Sequence, residues 1–198
     1  MRHLLLLLCA LTLSNVYGQW NYNSSHSDRA FMGISDRDVD YGKALALEFP
    51  NKYGSYIKYV YQGTAAEAAG IQPFDYIYAI DGKEMNRSRD LTDLLKEHRP
   101  GDQVQVKLIR QGRDMTVPMT LGRPSDSNGH HDGGSAFLGV SEHDNNDDDE
   151  IGVRIHTVRN STAIALGLDD GDVITAINDY PMVDWGDISV VLNNMDEG

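Results

Sequence analysis

One short unit that occurs twice constrains this chain more than any other feature. From Gly63 to Gly82 the sequence runs as a small-residue helical turn closing at Gly70, an acidic turn at Asp75, an apolar run Tyr76 to Ile80, and the tight-turn dipeptide Asp81-Gly82. The stretch from Asn160 to Asp179 repeats that order through Gly167, Gly171-Asp172, the apolar residues around Val173 to Ile177, and Asn178-Asp179. Two copies in 198 residues predict two small domains, each able to bury a core of its own.

The ends and the charge bound the setting. Arg2 and His3, an apolar run from Leu4 to Leu13 and then Ser14-Asn15-Val16-Tyr17-Gly18 read as a secretory signal peptide over residues 1–18. About ten apolar residues cannot span a bilayer, so no membrane insertion of the mature chain is expected. The protein is expected to be secreted or periplasmic, with a flexible polar lead-in over 19–29. A lipoprotein signal acylated at Cys9 is disfavoured, because Leu6-Leu7-Leu8 lacks small residues and the apolar run continues past Cys9. Cys9 is the only cysteine, so a cleaved chain has no disulfide, thiolate metal site or cysteine nucleophile. The net charge of −13 is concentrated beyond Ala136, where only Arg154 and Arg159 oppose many acids. That balance argues against nucleic acid and anionic membrane surfaces as partners.

Along the first copy, residues 30–122, Ala30 to Ile34 opens an apolar stretch, and a longer excursion leads to a second apolar run, Lys43 to Phe49. Tyr56 to Tyr61 reads as a strand, and Asp90 caps a helix whose Leu91, Leu94, Leu95 and His98 share one face. Pro100-Gly101 ends that helix, and Gln103 to Ile109 with Met115 to Leu121 forms a hairpin about Gln111-Gly112. Residues 123–135 hold Ser, Asn and Gly and read as a flexible linker. The second copy, 136–198, repeats the plan through a strand Ile151 to Val158 and a helix Asp187 to Met195, with Asp187-Ile188 matching Asp90-Leu91. It stops where the first copy begins its last hairpin, so it is expected to be incomplete, part of a longer protein. The first copy holds about nine extra residues, expected between Ser35 and Phe49.

Both copies resemble PDZ domains of the bacterial type found in periplasmic HtrA-like proteases. Phe31-Met32-Gly33-Ile34 and Phe137-Leu138-Gly139-Val140 stand where such domains have a carboxylate-binding loop, and the repeated unit is similar to the family's Ala-Gly-Leu, Gly-Asp and Asn-Gly pattern. Phe74 departs from it in place of glycine, as does Asp179. The resemblance implies an α+β, mainly β fold: two PDZ-like, partly open β-barrels, each with two helices. It implies that Phe31, Met32, Gly33 and Ile34 cradle a peptide carboxylate on backbone amides, with Leu91, Leu94 and Leu95 on the pocket wall. The second set is Phe137, Leu138, Gly139, Val140, Ile188, Val191 and Leu192. Because a helical face must be buried regardless, at least one of the three leucines is also expected in the core.

No cofactor is implied. The acidic loop Asp144 to Glu150 lacks the glycine and the distal glutamate of a calcium loop, and reads as solvated. His130-His131 sits in the linker without a third ligand. No nucleophile elbow or phosphate loop is present, so no catalytic residue is assigned. The expected function is a non-catalytic exported adaptor that binds C-terminal or extended peptide segments. The rivals are the regulatory region of an exported protease whose catalytic part lies beyond Gly198, and a scaffold whose two copies dock on each other.

Overall fold

A computed structural model describes residues 28–126, 136–143 and 151–195. The expected signal peptide, most of the lead-in and linker, and the acidic loop Asp144 to Glu150 lie outside the described residues. The first copy contains β1 (Ile34–Arg37), α1 (Tyr41–Ala46), β2 (Ser55–Val60), α2 (Ala65–Ala68), β3 (Tyr76–Ile80), β4 (Lys83–Glu84), α3 (Leu91–Leu95), β5 (Gln103–Arg110) and β6 (Arg113–Thr120). The chain then continues through β7 (Val140–Glu142), β8 (Val153–Thr157), α4 (Thr162–Ala165), β9 (Val173–Ile174), β10 (Ala176–Ile177), β11 (Tyr180–Pro181) and α5 (Trp185–Asn193).

The architecture is mainly β with few, short helices. Strands β1-β2-β3-β5-β6 form one antiparallel sheet, with β4 paired to β3. Its ends approach at a single bridge, Phe31 with Gly122, and the sheet does not close into a barrel. Two of its turns were fixed by dipeptides: Asp81-Gly82 and Gln111-Gly112 both take positive φ at both residues, the twist that lets two strands fold back tightly. The main core packs Met32, Ile57, Ile77, Ile80, Leu94, Val106 and Leu108 against α3 and the inner face of the sheet. Asp75 is fully buried beneath it, held by Arg110 through Nε and Nη2, each at 2.6 Å.

A second apolar cluster lies on the other side of the sheet, where Tyr56, Tyr76 and Tyr78 pack with Val39 and Ala44. Here the structure corrects the expectation of two helices, because the extra residues of the first copy fold into a third, α1. Asp40 caps it by accepting from Lys43 N–H at 2.7 Å, and Ala44 seats it on the tyrosines. A second correction concerns α5, which starts before Asp187. Asp184 is its N-cap, Asp187 stands three residues on, and the two exchange hydrogen bonds as a capping box. Asp187 is therefore inside the helix and fully buried.

That burial ties the C-terminal part to the sheet. Arg37 from β1 and Lys43 from α1 both bond Asp187, and both also reach Asp184, at 2.9 and 3.1 Å. Both cations also stand over the Tyr56 ring, at 5.2 and 4.4 Å. Beside them Phe74 stacks on Tyr180 with ring centroids 4.4 Å apart. Phe74 holds φ at +71°, a left-handed conformation that costs a bulky residue roughly 1–2 kcal/mol. Glycine fills the matching place in the other copy, Gly171, whereas Phe74 packs edge-on against Tyr56 as well as stacking on Tyr180.

Lys43 is 3 % exposed, and replacing Asp187 by Ala leaves its buried ammonium with Asp184 alone. Asp187→Ala is expected to cost about 3–5 kcal/mol in urea unfolding. Burial alone would raise the Asp184 carboxyl, but Lys43 and Arg37 together overcome it and hold the group below its ordinary value of 3.8. A lowered folded-state value means the contribution is complete above that ordinary value and is lost as pH falls through the depressed one. The unfolding midpoint should therefore drop in acid more steeply for the wild type than for Asp184→Asn, as read by circular dichroism across pH 2–6 (about two units either side).

Candidate functional site

The segment from Phe31 to Ile34 is held by backbone hydrogen bonds, and at Met32 and Gly33 these run to the carbonyls. Phe31 exchanges two 3.0 Å backbone hydrogen bonds with Gly122. Met32 O accepts from Ala66 N–H at 2.8 Å, and Gly33 O accepts from Tyr61 N–H at 2.9 Å. Thr64 is buried, and its hydroxyl bridges Tyr61 O and Gly33 O at 2.6 and 3.3 Å. Gly33 adopts φ +87°, and a Cβ there would stand 2.2 Å from Thr64 Cβ. Only glycine fits, for conformation and for space together.

The strand that follows has a free edge. β1 is the outermost strand, bonded to β2 with Ile34 opposite Val60 and Ser35 opposite Tyr59. Because Gly33 O already bonds Tyr61, the alternation of an antiparallel pair turns the N–H and C=O of Ile34 outward, away from β2. The opposite edge, β6, carries Pro118, which lacks a donor and blunts that edge against further pairing. Among the described residues, β1 is thus the sheet's receptive edge, and it begins directly at the glycine turn.

The helix residues divide. Leu91 and Leu94 are both buried in the main core, whereas Leu95 and Ile34 are half-buried and pack against it. Asp90 caps α3 by accepting from Asp93 N–H at 2.8 Å, which places Leu91 at the helix start. Met32 is in the core, so its side chain anchors the turn while its backbone remains available. Phe31 is half-buried.

The same hydrogen bonds recur in the C-terminal part. Leu138 O accepts from Ala163 at 2.8 Å and Gly139 O from Val158 at 2.9 Å, and a Cβ on Gly139, at φ +79°, would meet Ser161 Cβ at 2.1 Å. Gly171 N–H bonds Ile155 O at 2.8 Å just as Phe74 N–H bonds Ile57 O. Differences appear in the side chains. Phe137 is 72 % exposed, and Ser161 Oγ is buried with no partner among the described residues, whereas Thr64 bonds two carbonyls. Ile188, Val191 and Leu192 face inward onto Val153, Ile155 and Met182, and Val140 packs on the same cluster. Of the second predicted group, Val140, Ile188, Val191 and Leu192 share one cluster, and Phe137 and Leu138 do not join it.

Sequence reasoning missed the outer face of β1 and β2. Ser35, Lys58, Tyr59 and Tyr61 line an open cleft of about 360 Å³ whose other wall is α5. Asn194, which follows the lining residue Asn193, donates to Lys58 O at 2.9 Å. No local motif announces such a cleft, since its walls lie more than a hundred residues apart.

Residues 30–121 match the PDZ domain family. A probable periplasmic DegP-like serine endoprotease of Hahella chejuensis is 28% identical over 164 residues, covering 76% of this chain and 35% of the relative. The periplasmic serine endoprotease DegP of Salmonella typhimurium is 27% identical over 169 residues, covering 84% of this chain and 35% of its own. Among solved structures, the HtrA-type protease AlgW with decapeptide is 23% identical with a TM-score of 0.42, covering 48% of this chain and 30% of that one. The chain spans about a third of the length of the curated relatives it matches, and the catalytic domain of those proteases is not within it. Residues 30–121 are a PDZ domain with homology to the DegP-like periplasmic serine endoproteases.

Proposed function

We propose that this protein is an exported, non-catalytic adaptor whose first PDZ domain binds C-terminal or extended peptide segments of partner proteins. The observation that carries the reading is the Met32-Gly33-Ile34 turn. Its carbonyls are engaged inward by Ala66, Tyr61 and Thr64, and it leads straight into the unpaired edge of β1. Successive backbone amides at such a turn can hold a carboxylate without a basic side chain, and the peptide backbone then adds to β1 as a further strand. Ile34 and Leu95 offer the apolar surface for the last side chain, and Leu91 and Leu94 support them from the core.

The recurring hydrogen bonds at Leu138-Gly139 support a second, PDZ-like copy over 136–198, with residues 30–122 as the first, 123–135 as the linker and 1–18 as a signal for export. Its binding of a carboxylate is expected to be weaker, because its net charge is strongly acidic and Phe137 stands away from any core. A second reading is favoured by the names of the relatives: the chain is the regulatory PDZ region of an exported protease.

Calorimetric titration with an apolar-ending peptide should show at least a tenfold loss of affinity, about 1.4 kcal/mol, when its C-terminus is amidated. Equal binding of acid and amide would remove the carboxylate model. Chemical shift changes on adding the free acid should concentrate on residues 31–37 and 91–95 rather than on 137–142. Gly33→Ala should lose stability by about 1–3 kcal/mol, because Ala must hold a left-handed φ while its Cβ displaces Thr64. Urea titration measures that cost, and peptide binding by the still-folded fraction should fall with it.

A further inference from the structure

We infer that the cleft between the outer face of β1–β2 and α5 reads the penultimate side chain of a peptide seated on β1, and that it selects an acidic one. The inference rests on the peptide-carboxylate reading above. Ile34 and Val60 pack on the main core, so their neighbours Ser35 and Tyr59 turn to the opposite, outer face. The register shifts between Ser35 and Asp36, which leaves Lys58 as the extra residue of a bulge in β2. The bulge re-aims Lys58 to the side of Tyr59, and both line the cleft.

A peptide whose carboxylate sits at the glycine turn sets its last residue against Ile34 and its penultimate residue against Ser35. Residues directly opposite on antiparallel strands share a face, so the last side chain goes inward to the core side and the penultimate one outward into the cleft. A cleft of about 360 Å³ takes a side chain of any size. Its charge decides which is favoured. Arg37 and Lys43 are matched by Asp184 and Asp187, two cations to two carboxylates. Lys58 is left as the cleft's cation with no ion pair among the described residues. Val190 of α5, 3 % exposed, gives the methylenes of a glutamate an apolar wall, and Asn193 beside it adds an amide. The second copy therefore contributes to the first copy's selectivity by supplying one wall of the subsite.

The test uses the full chain and three peptides that differ only at the penultimate position, Glu, Ala or Lys, each as free acid and as amide, in calorimetric titration at low salt. The Glu peptide should bind about fivefold tighter than the Lys peptide, with Ala between, as expected for one partly exposed charge contact. In Lys58→Glu the order of the Glu and Lys peptides should reverse, with circular dichroism reporting that the variant is folded. Equal affinities of the three free acids for the wild type overturn the inference, and so does a Glu preference that persists in Lys58→Glu. Should that variant fail to fold, the wild-type series decides alone. Acids and amides binding equally would instead strike the carboxylate reading, and the inference with it.

Discussion

The burial of Asp187 is the constraint on which the relation between the two halves depends. A carboxylate with no solvent exposure is tolerated only when charges and hydrogen bonds meet it on every side. Here Val183 and Asp184 donate to it from its own helix start, and Arg37 and Lys43 meet it from the sheet. Those two cations come from different origins. Arg37 closes β1, while Lys43 is carried by α1, the helix formed from residues that the first copy has and the second lacks. The extra helix therefore both covers the tyrosine cluster and supplies half of the positive charge that lets α5 dock.

Strain elsewhere follows from the same docking. Phe74 pays a left-handed conformation where the other copy uses Gly171, and it gains a stacked partner in Tyr180. The main core is organised without reference to this surface. Met32, Leu94 and the inner faces of β2, β3 and β5 form one cluster, and Asp75 with Arg110 pins the turn beneath it. The domain thus has an inner side concerned with its own folding and with the glycine turn, and an outer side concerned with the rest of the chain.

How much was legible in the sequence divides along the range of the interactions. Local chemistry was read well: the positive-φ dipeptides, the Asp90 cap and the alternating strands each act within a few residues. The extra segment was located, but its helix was not, because Asp40 lies among other acids and nothing local marks it as a cap. Asp187 was aligned with Asp90 by analogy between the copies, which hid Asp184 three residues earlier as the true cap. The ion pairs from Arg37 to α5 join residues about 150 positions apart, and no periodicity or spacing carries that information.

The groove residues show the same division within one site. That Gly33 must be glycine follows from its own φ and from Thr64, a residue in the repeated unit, so the unit and the turn constrain each other. That Leu91 and Leu94 are core while Leu95 keeps surface is a packing detail the helical period leaves open. The outer face of β1 is set by one register shift opposite Lys58. A single extra residue in β2 decides which side chain a strand added to β1 would meet, and a sequence pattern of alternation, which assumes unbroken register, cannot register that choice.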